Sequence, residues 1–465
     1  MTIGPAELQQ LRDALPVDAV VTDADLVEPY RRDRALDPRA GTPVAVVLPR
    51  TTAEVQATVR WAGAHRVPIV PRGAGTGLSG GSTAVDGGIV LSTERMRDVA
   101  VDPATRTLIV QPGLLNAEVK AAAAAQGLWY PPDPASFEIC SIGGNVATNA
   151  GGLCCVKYGV TSDYVLALEV VLADGEVVRI GRGLIKDVAG LSLLQLFIGS
   201  EGTLGIVTEI TLRLLPAPRP ARRLAAWFAT TEAAAQAIGE IASTIRPSLL
   251  EYMDRAAVNA VEDVHHLGLE RDAAAFVLAG TDDADPDEHE LRTMREILAR
   301  HRPTLLEETT PERGDELAAA RRAAIPAVEE QGRLLLSDVG VPTPRLADLI
   351  HGVEEIAARE RTTIAFIAHA GDGNTHPLVV FDGDDPDAVE RAERAYGDVM
   401  SLAIALGGTI TGEHGVGKLK RPWLVDQVGP IALDLGQRIK DAWDPDGILN
   451  PGAVFARSSE ARRSA

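Results

Sequence analysis

Cysteine, aromatic side chains and positive charge are all scarce in this chain of 465 residues. Three cysteines, Cys140, Cys154 and Cys155, are too few for a disulfide framework and lack metal-finger spacing. The adjacent pair Cys154-Cys155 leaves two readings open, a redox-active dithiol or two small buried side chains. Aromatics make up only 4% of residues, so Ala, Val and Leu must build the cores. Lysine and arginine number 45 against 65 aspartates and glutamates, a net charge of -20. That balance argues against nonspecific binding to nucleic acid or anionic lipid, which both need basic surface. No apolar run approaches the roughly 18 to 20 residues of a membrane span. The stretch from Met1 to Pro16 has no basic region followed by an apolar one, so no secretory signal is expected. The cytoplasm is the default location, with peripheral contact at the inner membrane face left open.

Hydrophobic residues at 46% and charged residues at 24% give a globular composition. The length exceeds one ordinary core, so two or three packed units are expected. Val44 to Leu48 reads as a buried strand. Thr51 and Glu54 form a capping box, and Val55, Val59 and Ala62 give the next helix its apolar face. Strands Val67 to Val70, Ile89 to Ser92 and Thr107 to Gln111 follow, then an Ala-rich helix from Asn116 to Gln126. Tyr164 to Leu172 and Glu176 to Ile180 form a hairpin around Ala173-Asp174-Gly175. Ile206 to Leu214 is another strand. The proline cluster from Pro216 to Pro220 marks a boundary, which predicts units of residues 1–218, 219–415 and 416–465. Beyond it, strands Leu224 to Phe228, Ala274 to Gly280, Leu334 to Val339 and Thr362 to Ala368 alternate with helices Thr231 to Ile245, Pro286 to Arg300 and Arg345 to Arg359. This pattern predicts a ferredoxin-like α+β layer. Pro422 to Trp443 reads as a final helix.

The segment Pro71-Arg72-Gly73-Ala74-Gly75-Thr76-Gly77-Leu78-Ser79-Gly80-Gly81 carries the first chemical signal. Its glycines let several backbone N–H groups converge on one anion, because no side chain blocks the approach. Gly75, Gly77 and Gly80 also satisfy G-x-G-x-x-G, the dinucleotide pattern. That fold needs a helix to begin inside the motif. Here Ser82 to Gly88 is polar and glycine-rich and leads into a strand, so the nicotinamide reading is rejected.

A second signal is His369-Ala370-Gly371-Asp372-Gly373-Asn374-Thr375-His376, followed by Thr411-Gly412-Glu413-His414-Gly415. A strand ending at His369 and a tight glycine turn can return His376 beside it. Two imidazoles and a carboxylate suit a borderline divalent metal with positions left for substrate. Spacing alone leaves satisfied structural histidines as the other reading. His265-His266 matches no motif and reads as surface or core.

These motifs together resemble the FAD-linked oxidase superfamily typified by vanillyl-alcohol oxidase and p-cresol methylhydroxylase. Within it the likeness is to the glycolate oxidase D-subunit and D-lactate dehydrogenase group, from about Pro43 to Phe455. The resemblance implies an α+β fold, with a two-subdomain FAD-binding domain, a ferredoxin-like cap and a C-terminal helical segment returning to the flavin. It implies non-covalent FAD, held at Pro71, Arg72, Gly73, Ala74, Gly75, Thr76, Gly77 and Leu78. Pro132, Asp133, Ser141, Gly143, Gly144, Asn145, Thr148, Asn149, Gly151, Gly152 and Tyr158 belong to the same implied site. So do Glu201, Gly202, Gly205, Ile206 and Asn450. The family's pattern also implies a divalent metal, Zn, Mn or Fe, on His369, His376 and Glu413. His414 matches its base and Arg321, beside Arg322, its substrate arginine. Two departures stand out: Leu191 where an aromatic is common, and Leu153-Cys154-Cys155 where a Pro-Arg step is usual.

The implied reaction takes a D-2-hydroxy acid to its 2-oxo acid. The metal favours the alkoxide, His414 takes the hydroxyl proton, and hydride passes to the flavin N5. Arg321 would grip the carboxylate. Ile325, Leu336 and Leu378 occupy positions that carry polar groups in D-2-hydroxyglutarate dehydrogenases. A second carboxylate among three aliphatic groups would be costly, so a monocarboxylate such as D-lactate or glycolate is expected. The alternatives are an electron-transfer subunit of a multi-subunit glycolate oxidase and a dicarboxylate dehydrogenase. A quinone, a cytochrome or an electron-transfer flavoprotein would accept the electrons, and a homodimer or an iron–sulfur partner subunit is compatible.

Overall fold

A computed structural model describes residues 3–283 and 287–456. The first sheet places Ala45–Val47, Ile89–Ser92 and Ile69–Arg72 side by side in parallel, with Val20–Val21 as an antiparallel edge. Helix Thr52–His65 makes the first crossover. The Thr51 half of its cap forms as expected, the hydroxyl accepting from Glu54 N, while the Glu54 carboxylate accepts from Arg50 N instead of Thr51 N. Val55, Val59 and Ala62 are fully buried against the sheet. Between Ile69–Arg72 and Ile89–Ser92 there is no helix. The glycine-rich segment crosses as a loop, in agreement with rejection of the dinucleotide fold.

The second sheet is antiparallel, in the order Val99–Asp102, Thr107–Val110, Ile206–Arg213, Val165–Val171, Val177–Ile180. The hairpin at Ala173-Asp174-Gly175 closes as read, with Gly175 in the left-handed region at φ 78°.

The third sheet has eight strands. Arg222–Phe228, Leu249–Asp254, Ala275–Thr281 and Leu305–Glu308 alternate with helices Thr231–Thr244, Arg255–His265 and His289–Arg300. They pair in the spatial order fourth, first, third, second, which is the ferredoxin-like arrangement. Pro286, taken as the start of one helix, lies outside the described residues. Thr363–His369, Asn374–Phe381 and Arg333–Leu336 extend the sheet from its Leu249–Asp254 edge, all antiparallel.

Two sequence expectations need correction. The strand read as Leu334 to Val339 breaks at Ser337-Asp338, and Val339–Gly340 pairs separately with Thr375 and Asn374. The break turns the Asp338 carboxylate inward, where backbone donors await it. The final helix is two, Arg421–Val428 and Pro430–Trp443. Gly429 at φ 81° and Pro430, which has no N–H to donate, interrupt it.

The C-terminal stretch then returns to the first sheet, where Leu449 bridges Ile69. Lys440, 7% exposed, donates to Thr203 O at 2.7 Å and Leu449 O at 2.8 Å and pairs with Asp444. Asp444 also accepts from Ile448 N and Leu449 N. Lys440→Met should therefore leave a buried carboxylate without its counter-charge. The expected loss is about 3 to 5 kcal/mol, read as a lower urea midpoint; an unchanged midpoint would show that the pair does not hold the segment.

Candidate active site

One cleft, with about 1950 Å³ of empty space counted to its open mouth, runs from the glycine loop to the histidine cluster. Pro71 to Leu78 form one wall, with Ser141, Gly143, Gly144, Asn145 and Thr148 facing them, and Glu201, Gly202, Gly205 and Ile206 between. At the other end lie Arg321, Arg322, Ile325, His369, His376, Glu413 and His414. Residues some 300 positions apart in sequence therefore share one solvent-connected space.

The loop end is built from backbone. The Ser141 hydroxyl accepts from Gly144 N and Ala74 N, both at 3.2 Å, and so ties the loop to the helix Ile142–Thr148. A Cβ at Gly73 would stand 2.2 Å from that hydroxyl, so no larger residue fits. Seven of the implied cofactor residues do not reach the lining. Asn450 donates to Gly81 O at 2.8 Å and Glu201 O at 2.7 Å, holding the loop from behind. Asp133 accepts from Cys154 N and pairs with Arg322 at 3.1 Å. Pro132 O accepts from Asn116. Asn149 caps its helix and accepts from Ser162 N. Gly152 packs on the Asp133 backbone. Tyr158 points to a separate depression, bonded to Asp282. Gly151 abuts the far end, where a Cβ would stand 2.8 Å from Glu413 Oε2.

The histidine end is built from side chains. The hairpin of Thr363–His369 and Asn374–Phe381 sets His376 opposite Ile367, two residues from His369. The two imidazoles meet edge to face, with centroids 5.3 Å apart, and His414 stacks on His376 at 4.9 Å. Nε2 of His369 and of His376 each lie 3.2 Å from Glu413 Oε1, and His414 Nε2 lies 3.9 Å from it. Glu413 Oε2 is buried without a partner. Burial opposes ionisation of Glu413, but His369 and His376 outweigh it and hold the carboxyl well below its usual range. Burial likewise opposes a charge on His369, yet Glu251 and Glu413 hold it well above the usual imidazole range. Burial dominates at His414 and drives it down to about 4, which leaves its ring neutral at pH 7.

Sequence reading missed Asp338, which carries no motif. It is fully buried, and its carboxylate accepts from Gly412 N at 3.0 Å, His414 N at 2.8 Å, Thr411 Oγ1 at 2.7 Å and Lys420 Nζ at 3.1 Å. Asp338, His376, Glu413 and His414 are close enough to hold an ion together. Asp338, however, faces the Nδ1 edges of His376 and His414 at 3.9 Å; its Oδ2 is crowded by donors and its Oδ1 accepts from Glu413 N at 3.3 Å. His369 and His376 instead converge through Nε2 on Glu413, whose Oε2 has no partner, with His414 alongside.

Glu251 was also missed. It lies directly across the sheet from His369 and pairs at 2.9 Å with Arg321, which is 2% exposed. Arg321 Nη2 is buried without a partner and the residue lines the cleft. Of the three aliphatic positions, only Ile325 is on the wall. Leu336 and Leu378 are register partners inside the core behind it. His265 and His266 are exposed at a helix end. Cys140 lines the cleft, while Cys154 and Cys155 are half-buried and burial pushes both thiols up. That environment favours the small-side-chain reading over a reactive dithiol.

A domain family described as FAD binding domain matches residues 43–181, and one described as FAD linked oxidases, C-terminal domain, matches residues 217–454. The chain belongs to the FAD-linked oxidases. The glycolate oxidase subunit GlcD of Bacillus subtilis is 42% identical over 427 residues, covering 90% of each chain. The D-lactate dehydrogenase of Archaeoglobus fulgidus is 36% identical and covers 92% of this chain and 96% of its own. The crystal structure of p-cresol methylhydroxylase superposes with a TM-score of 0.83 over 98% of both chains at 17% identity, a likeness of fold alone. This FAD-linked oxidase is thus an oxidoreductase of the glycolate oxidase and D-lactate dehydrogenase type, with a p-cresol methylhydroxylase-type FAD-binding domain. No helix among the described residues is long and apolar enough to cross a membrane.

Asp33, also missed in the sequence, lines the cleft beside the loop and is 3% exposed. Burial raises its carboxyl to about 6, against backbone donors that lower it. A carboxyl raised in the folded state stabilises fully only below its unfolded value and loses that contribution as pH rises through 6. Asp33→Asn cannot ionise, so its stability relative to wild type should grow between pH 4 and pH 7. The shift corresponds to about 3 kcal/mol, measurable by unfolding of the FAD-free protein. A pH-independent difference would mean that Asp33 is not held protonated.

Proposed function

We propose that this enzyme oxidises a small D-2-hydroxy monocarboxylate, such as D-lactate or glycolate, to its 2-oxo acid, with FAD and a divalent cation. The observation that carries the reading is the single cleft joining the glycine loop to the His369, His376 and Glu413 cluster. The donor set fits a cation. Arg321 and Lys420 stand against Glu251, Glu413 and Asp338; a cation at His369 Nε2 displaces the proton that Glu251 and Glu413 otherwise hold on that ring, and the protein groups then carry one net negative charge. A divalent ion reverses that sign and so suits an anionic substrate. When bound, the flavin supplies the hydride acceptor and the cation the Lewis acidity that favours the alkoxide.

The remaining work belongs to the chain. His369, His376 and Glu413 would hold the cation. Arg321, ion-paired at Nε with Glu251, presents its unpartnered Nη2 to the substrate carboxylate. His414, neutral and stacked on His376, offers an acceptor for the hydroxyl proton. Pro71 to Leu78 and Ser141 to Thr148 would seat the flavin. Ile325 gives the substrate tail an aliphatic wall, and Arg322 is already neutralised by Asp133. Both features favour one carboxylate over two.

Anaerobic bleaching of the bound flavin tests this reading. D-lactate or glycolate should reduce the flavin, a chelator should suppress the reduction, and D-2-hydroxyglutarate should react far more slowly. Comparable rates for D-lactate and D-2-hydroxyglutarate would refute the monocarboxylate assignment. His414→Ala should keep its FAD yet bleach about 10²- to 10⁴-fold more slowly; bleaching at the wild-type rate would reassign the base.

A further inference from the structure

Glu251 is absent from the cleft lining, yet it touches both functional ends of the catalytic cluster. It is 1% exposed on strand Leu249–Asp254. Its Oε1 and Oε2 stand 2.9 and 3.0 Å from His369 Nδ1, and Oε2 is 2.9 Å from Arg321 Nε. Both partners present N–H groups to this one carboxylate, His369 Nδ1 at hydrogen-bond geometry and Arg321 Nε as an ion pair. With Nδ1–H committed to Glu251, His369 Nε2 is the nitrogen turned to Glu413 Oε1, 3.2 Å away. The ion pair with Glu251 anchors the guanidinium at its Nε edge, although Nε–H is not aligned for a hydrogen bond, and Nη2 is left without a protein partner on the cleft side.

Resting on the function proposed above, we infer that Glu251 is a positioning residue that couples the cation to the substrate carboxylate. One buried side chain sets the tautomer of a cation-holding imidazole and the orientation of the arginine that grips the acid. Outer carboxylates of this kind raise the basicity of a ligating histidine and fix its ring. Here the same group also orders the guanidinium fork, so the two binding steps share one support. A glutamine in its place has one acceptor and one donor, and must turn its NH₂ towards either His369 or Arg321.

Two affinities test this in the FAD-loaded protein after chelator treatment. Mn²⁺ is titrated directly. 2-Hydroxyisobutyrate, which lacks an α-hydrogen and cannot be oxidised, is titrated by its effect on the flavin spectrum before Mn²⁺ is added. Glu251→Gln should retain FAD and lose about 10- to 100-fold in Mn²⁺ affinity. Its cation-free affinity for the analogue should fall about as far as in Arg321→Lys. Glu251→Asp keeps the charge at shorter reach and should fall between wild type and Glu251→Gln in both; it carries the test if Glu251→Gln does not hold FAD. If both affinities stay at wild-type values in an FAD-loaded variant, Glu251 positions nothing. If only one falls, it serves that partner alone and the coupling is wrong. Wild-type protein that takes up neither Mn²⁺ nor the analogue would overturn the proposed function, and this inference with it, in an arm separate from the variants.

Discussion

The Asp338 carboxylate is the constraint on which the histidine end depends. Its Oδ2 takes backbone N–H groups of Gly412 and His414, the Thr411 hydroxyl and the Lys420 ammonium, and its Oδ1 takes Glu413 N. Burying a carboxylate is costly, and this one is offset by a buried cation and several donors at once. Burial raises Asp338 while Lys420, His414 and His376 lower it, and the net effect holds it well below the usual carboxylate range. The consequence is positional. The loop that carries Glu413 and His414 cannot move without unmaking these bonds, so Glu413 is pressed against His369 and His376.

A second junction keeps the two ends of the cleft in register. Glu201, within the Gly199 to Ile206 run, accepts from Val416 N at 2.7 Å and Gly417 N at 2.8 Å, just past His414. Burial raises it to about 7 against those donors. Asn450 reaches back from the C-terminal stretch to Gly81 O and Glu201 O. The glycine loop, the loop after His414 and the C-terminal stretch at Asn450 are thereby tied at one place. The loop end is made of backbone and small residues, which suit a large anion. The other end is made of imidazole, carboxylate and guanidinium, which suit proton and charge handling. Neither could do the other's work.

How much of this was legible in sequence depended on whether the signal was local. Turns, caps and strands of the first half were readable because Gly175, Thr51 and Glu54 act within a few residues. The rejection of the dinucleotide fold came from the missing helix after Gly80, a local fact that the fold bears out. A ferredoxin-like layer was inferable, but Leu249–Asp254 and Leu305–Glu308 were not read as strands, and the strands read near Leu334 and Thr362 extend the sheet beyond that unit. His369, His376, Glu413 and His414 stood out through glycine-flanked motifs. Asp338 and Glu251 did not, because each is a charge set in an apolar strand, and Lys420 did not, because it sits in the basic run Lys418 to Arg421; the partner of each is supplied by tertiary contact. Leu336 and Leu378 mislead for the opposite reason: strand alternation and register, invisible without the fold, send them into the core while Ile325 stays on the wall. Asn450, Asp133 and Tyr158 likewise support the cleft or stand apart from it, a distinction that only the folded chain makes.

The central claim is that the glycine loop and the histidine cluster form one site, with the cation on the Nε2 side of His369 and His376. Anomalous X-ray scattering at the metal edge, from crystals of the FAD-loaded protein, tests it most directly. The expected result is a single peak at coordination distance, about 2.0–2.2 Å, from both Nε2 atoms and a Glu413 oxygen, inside the cleft that holds the flavin. A peak on the Asp338 side, or none in crystals with fully occupied flavin grown with the divalent cation, would contradict it.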